Sequence, residues 1–121
     1  MPALRTVIAD DDRITRSILS TILLEGGCDV AGQADNGADV VKLCLQIEPD
    51  VLFLDINMPK LNGFEALASI REGLPKVHVV MLSASSTLDN VRECMRLGVN
   101  SFIVKPFTPE KVLSALKTAK R

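Results

Sequence analysis

The chain has no tryptophan and no tyrosine, which makes intrinsic fluorescence a poor reporter of anything it does. Its other scarcities speak to function. Cys28, Cys44 and Cys94 lie far apart with no neighbouring Cys or His, which excludes a disulfide framework and an ordinarily spaced zinc site and fits reduced thiols in a cytosolic protein. No apolar run approaches the roughly eighteen residues that a membrane span requires. The opening MPALRTV has no charged segment followed by an apolar stretch, so no export signal is read and a cytoplasmic location is expected. Charge of one sign is lacking too: 14 basic residues stand against 15 acidic ones, a formal net charge of -1. Proteins that grip nucleic acid or anionic membranes concentrate Lys and Arg to neutralise phosphates, so neither is an expected partner. No repeat, low-complexity tract or linker interrupts the 121 residues, a length that suits a single domain spanning 1–121 with a core of its own.

Five short apolar runs recur at fairly even intervals: RTVIAD from Arg5, CDVAGQA from Cys28, DVLFLD from Asp50, VHVVML from Val77 and SFIVK from Ser101. Three of them are apolar on consecutive residues and rich in Val and Ile, as strands covered on both faces must be, which predicts a parallel sheet. Between them lie helical spacings: Ile14, Ile18 and Ile22; Val40, Cys44 and Ile47; Phe64, Leu67 and Ala68; Leu88, Val91 and Met95; and Val112, Ala115, Leu116 and Ala119. Each stripe is expected to lie on the sheet. Asn62 with Glu65 reads as a capping box, Thr108 before Pro109 as a cap followed by proline at the first helical position, and Gly26, Gly73 and Gly98 as helix stops. Strand and helix thus alternate five times. Right-handed crossovers then place helices on both faces of one open α/β sheet.

In such folds the site lies outside the carboxyl ends of the strands. The first strand runs into Asp10, Asp11 and Asp12, the third ends on Asp55, the fourth on Ser83 to Ser85, and the fifth on Lys105, Pro106 and Phe107. Acids gathered at one edge repel one another. Two unit charges about 4 Å apart cost on the order of 4 kcal/mol at an effective dielectric of 20, so a cation is expected among them. With hard carboxylate oxygens and no His or Cys at these ends, that ion is Mg2+, or Mn2+ in its place. A divalent metal, the Lys105 ammonium and the Ser83 hydroxyl around one carboxylate would cradle a phosphoryl group, with Asp55 as the nucleophile. Taken singly each residue has a plainer explanation: Asp12 as a helix cap, Lys105 as a solvated strand end, Ser83 as a turn residue. Their joint occurrence on four strand ends is what carries the reading.

ADDD after the first strand, DINMPKLNG after the third, LSAS after the fourth and SFIVKPF at the fifth resemble the receiver domain of two-component response regulators, especially its stand-alone chemotaxis type, from Arg5 to about Ala119. The resemblance implies a flavodoxin-like doubly wound (βα)5 fold with strand order 2-1-3-4-5. It implies Asp55 as phosphoacceptor from a sensor histidine kinase, and Mg2+ held by Asp10, Asp11, Asp55 and the backbone carbonyl of Asn57. Lys105 would pair with the phosphoryl oxygens, Ser83 would hydrogen-bond them, and Phe102 would be the aromatic switch. The protein would then be a phosphoacceptor that catalyses only its own phosphoryl transfer and dephosphorylation, not an enzyme acting on other molecules. The Lys105-Pro106 peptide is expected to be cis, and Met58, Pro59 and Gly63 to shape the loop after Asp55. Asn57 and Ser85 occupy the positions that tune acyl-phosphate lifetime in the family; both are small and uncharged. Phe102 stands where Tyr is also common, and Ser83 where Thr is frequent. The expected partner surface is Leu88 to Met95, Phe102 and Val112 to Leu116, with Val91 and Leu116 assigned to the core. The downstream target and the output are not named by any of these residues, and passage of the phosphoryl group onward as a relay intermediate is an alternative.

Two rivals share the topology. Asp10 and Asp12 also fit the Asp-x-Asp of haloacid-dehalogenase-like phosphohydrolases, but these need two further acids after the lysine, and only Glu110 follows Lys105. A flavodoxin-like flavin binder needs a hydroxyl- and glycine-rich loop after the first strand, where DDDR would repel the flavin phosphate.

Overall fold

The computed structural model describes residues 3–119; Met1, Pro2, Lys120 and Arg121, the ends of the expected domain, lie outside the described residues. The elements alternate as β1 (Arg5–Ala9), α1 (Arg13–Glu25), β2 (Asp29–Ala34), α2 (Gly37–Ile47), β3 (Val51–Asp55), α3 (Gly63–Gly73), β4 (His78–Ser83), α4 (Leu88–Arg96), β5 (Ser101–Val104) and α5 (Pro109–Ser114). All strand pairings are parallel, in the order β2-β1-β3-β4-β5. The expected α/β doubly wound fold and its strand order are therefore observed.

Alternation along each strand divides the core in two. Val7, Ala9, Leu52, Leu54, Val79 and Met81 face one side and pack with Val40 and Cys44 of α2, Ala66, Leu67 and Ile70 of α3 and Cys94 of α4. Ile8, Val51, Phe53, Val80, Leu82 and Ile103 face the other, against Leu19 and Leu23 of α1 and Val112, Ala115 and Leu116. β3 and β4 are buried at every residue, which is why their centres, Val51 to Leu54 and Val79 to Leu82, are apolar without a break.

The caps hold as expected at three helices. Asn62 and Glu65 form a reciprocal capping box on α3, Thr108 caps α5 with Pro109 at its start, and Gly26 closes α1. Gly73 does not stop α3 but is its last residue, Leu74 being the cap, and Gly98 lies two residues beyond α4, at φ +68°.

Three helical stripes depart from expectation. Ile14 and Ile18 are 69% and 50% exposed, whereas Leu19 and Leu23 are fully buried. The sequence offers two apolar arcs on α1, and the one chosen is that on whose side Arg16 reaches back to the carbonyl of Asp10. On α4, Leu88 and Met95 are exposed and Cys94 is the buried residue, Val91 being half-buried. On α3, Ala68 is exposed and Ala66 and Ile70 take its place in the core. A spacing of three or four fits more than one arc when apolar residues are plentiful, and sheet packing makes the choice.

Candidate functional site

β1 lies between β2 and β3, so the chain leaves β1 to one side and returns on the other. This is the point where strand order reverses and a crevice opens above the carboxyl ends. Asp10 and Asp55 stand at that crevice, 0% and 3% exposed, with Asp11 exposed beside them. One carboxylate oxygen from each of the three lies within 4.8 Å of the others. Lys105, arriving from the end of β5, donates to Asp10 Oδ2 at 2.6 Å and lies 3.5 Å from Asp55 Oδ2.

Neighbouring backbone fixes these side chains. Asp10 Oδ1 accepts the Asp12 N–H at 2.9 Å, and the Asp10 N–H is held by the Ala34 carbonyl. Arg16 Nη1 donates to the Asp10 carbonyl at 2.7 Å. Asp12 turns away as the cap of α1, accepting from Ile14 and Thr15, so the helix-cap explanation accounts for it. The Asn57 N–H approaches Asp55 Oδ1 at 3.4 Å. Gly63 allows no side chain: a Cβ there would sit 2.2 Å from the Asp55 carbonyl oxygen. Met58 is buried and Pro59 exposed in the intervening loop, and the Lys105-Pro106 peptide is cis.

Burial, and then the charge of Asp10, pushes the Asp55 carboxyl up from 3.8 to about 6, with Lys105 pulling the other way. Burial disfavours the Lys105 ammonium, yet its hydrogen bond to Asp10 and the charges of Asp55 and Asp10 outweigh that and hold it above its usual range. One ammonium thus leaves the carboxylate pair under-neutralised. An all-oxygen donor set with surplus negative charge and one exposed member suits a hard divalent cation that keeps part of its water.

Ser83 is buried at the end of β4, and its hydroxyl is turned to its own loop, donating to the Ser85 carbonyl at 2.7 Å and accepting the Ser85 N–H at 3.1 Å. Phe102 is half-buried, packed on the α2–α3–α4 side of the core, and lines a groove between β5 and α5 with Glu110, Lys111 and Ser114. Asp10, Asp11, Asp55 and Lys105 are therefore brought together, while Phe102 stands apart on the surface. Arg16 was missed in the sequence. Its signal is its place one turn into α1, since long helical side chains lean back toward the N-terminus and here toward the strand end.

No helix of the described residues is long and apolar enough to cross a membrane. Residues 6–117 match the family model described as the response regulator receiver domain. The chain is 37% identical over 112 residues to the chemotaxis protein CheY of Thermotoga maritima, covering 93% of each. It is 37% identical to CheY of Listeria monocytogenes, covering 96% of this chain and 98% of the relative. Among solved structures, a chain of the CheX-CheY-BeF3-Mg2+ complex from Borrelia burgdorferi superposes with a TM-score of 0.90 at 31% identity, covering 93% of this chain and 86% of that one. The match over nearly the whole chain, on the fold and crevice just described, places this protein in the response regulator receiver domain family.

Proposed function

We propose that the protein is a phosphorylation-driven switch of a two-component system, with Asp55 as the acceptor of a phosphoryl group from a phosphohistidine on a sensor kinase. The observation that carries this is the buried pair Asp10 and Asp55 with Lys105 bridging them at 2.6 and 3.5 Å: a nucleophile with a cation already fixed beside it. An Asp55 carboxylate oxygen attacks phosphorus, the phosphorus–nitrogen bond breaks, and its electron pair leaves with the imidazole. Little covalent help is needed; positioning and charge neutralisation do most of the work. Mg2+, or Mn2+, held by Asp10, Asp11, Asp55 and the Asn57 carbonyl, would supply charge neutralisation at the phosphoryl oxygens. Lys105 moves from the carboxylates toward the new oxygens, while the Asp12 N–H keeps the Asp10 side chain in place.

The readout begins at Ser83. Its hydroxyl is occupied by Ser85, and a phosphoryl group brings about two negative charges and three strong acceptors that compete for it. Drawing Ser83 and its loop toward Asp55 frees space into which the Phe102 ring turns, biasing a two-state equilibrium. The surface changed is α4, β5 and α5, where Leu88 and Met95 are already exposed, and the partner is a downstream protein, not nucleic acid or membrane. We take the 121 residues as one receiver unit working in the cytoplasm, and the likeness to CheY supports a chemotaxis-type output. Incubation with acetyl phosphate and Mg2+ should add one phosphoryl group by intact mass to the wild type and none to Asp55→Asn. Equal gain in both proteins would remove Asp55 from this role.

A further inference from the structure

The loop between β3 and α3 is pinned at two places, and only one belongs to its own motif. At its end the Gly63 N–H bonds the Ile56 carbonyl at 2.7 Å. In its middle it rests on the N-terminus of α2. The Gly37 N–H, one of the donors that a helix start leaves without an intrahelical partner, points to the Pro59 carbonyl at 3.3 Å, which also accepts the Leu61 N–H at 2.9 Å across Lys60. Lys60, between them, has φ +71°, a left-handed conformation that a non-glycine residue keeps only when its surroundings impose it. The contact has no slack: a Cβ at Gly37 would lie 2.1 Å from the Leu61 carbonyl oxygen and 2.5 Å from Leu61 Cβ. Asn36, 4% exposed, anchors that helix end by accepting the Asp39 N–H and donating to Asp35 and Asp39.

We infer that Gly37, at the start of α2, is a positioning residue for the metal: it seats the β3–α3 loop so that the Asn57 carbonyl stands at the height of the carboxylates. The inference rests on the metal role proposed above for Asp10, Asp11, Asp55 and Asn57. Gly37 touches none of these groups. A side chain at 37 must push Leu61, and the push reaches Asn57 through Pro59, whose carbonyl the Leu61 and Gly37 N–H groups share, because Ile56 on the far side of Asn57 is tied to Gly63.

The test is Mg2+ and Mn2+ binding to the unphosphorylated protein, by isothermal titration calorimetry and by the electron paramagnetic resonance signal of free Mn2+. Gly37→Ala should weaken both by about tenfold, the loss typical when a group supporting a ligand is displaced. Gly73→Ala is the control, since its Cβ would meet only Leu45 Cδ2, at 2.6 Å, the tip of a half-exposed side chain that can turn aside; it should leave both the fold and metal affinity unchanged. If Gly37→Ala does not fold, Asn36→Ala frays the same helix end without adding an atom and should lower affinity in the same direction. Wild-type affinity in a folded Gly37→Ala or Asn36→Ala, or an equal loss in Gly73→Ala, overturns the inference and leaves the proposed function standing. A wild type that binds neither ion overturns the metal reading itself.

Discussion

The strained electrostatics of Asp55 predict that removing its charge stabilises the protein when divalent metal is absent. In the fold its carboxyl is held near 6, chiefly by burial and by the charge of Asp10, against 3.8 as its ordinary value. A group whose folded value is raised stabilises the fold most below its unfolded value and loses that contribution as pH rises through the folded value. At neutral pH the charged carboxylate therefore disfavours folding by at most about 3 kcal/mol, and solvent screening reduces this to about 1 to 2 kcal/mol. Asp55→Asn keeps the shape, leaves Lys105 its 2.6 Å bond to Asp10, and removes that penalty. Urea unfolding followed by far-ultraviolet circular dichroism, in chelator-treated buffer, should show Asp55→Asn more stable at about pH 7.5 and the gap closing toward about pH 4. Mg2+ should then stabilise the wild type more than the variant, because it binds the folded site that Asp55 completes. A variant no more stable than wild type at neutral pH, or a gap that does not shrink on acidification, would refute the reasoning.

Other perturbations have equally direct readouts. Phe53, fully buried on the α1–α5 side of the sheet, should cost about 3 to 5 kcal/mol in urea unfolding when replaced by alanine. Asn62→Ala removes the side-chain arm of the capping box on α3, leaving the Glu65 N–H without its acceptor while the Asn62 N–H still donates to Glu65, and should cost about 1 kcal/mol in the same assay. Ser83→Ala removes the hydroxyl held by Ser85 without touching a carboxylate. It should still gain a phosphoryl group by mass, while the amide shifts of residues 101–104 on phosphorylation shrink well below those of wild type.

Strand positions were legible because burial on both faces demands unbroken apolar residues, and the centres of β3 and β4, Val51 to Leu54 and Val79 to Leu82, show that demand. The acids and the lysine were legible because strand ends converge in an open parallel sheet whatever the side chains are. What could not be read is set by contacts between distant elements. Ile14 and Ile18 have the spacing of a buried stripe, and only the packing of Leu19 and Leu23 on the sheet turns them outward. Arg16 is one Arg among several until the carbonyl of Asp10 is seen within its reach. Gly37 looks like a weak helix start, and its reason is the Leu61 backbone 24 positions away in a different loop.

The central claim is that Asp55 accepts the phosphoryl group with divalent metal present. The most direct measurement is borohydride reduction after reaction with acetyl phosphate, followed by peptide mass spectrometry, since an acyl phosphate is reduced and an ordinary carboxylate is not. Homoserine at position 55, formed with Mg2+ and lost with a chelator, is the predicted result. Reduction at Asp10, Asp11 or any other acid, or the same yield at Asp55 without metal, would contradict the account.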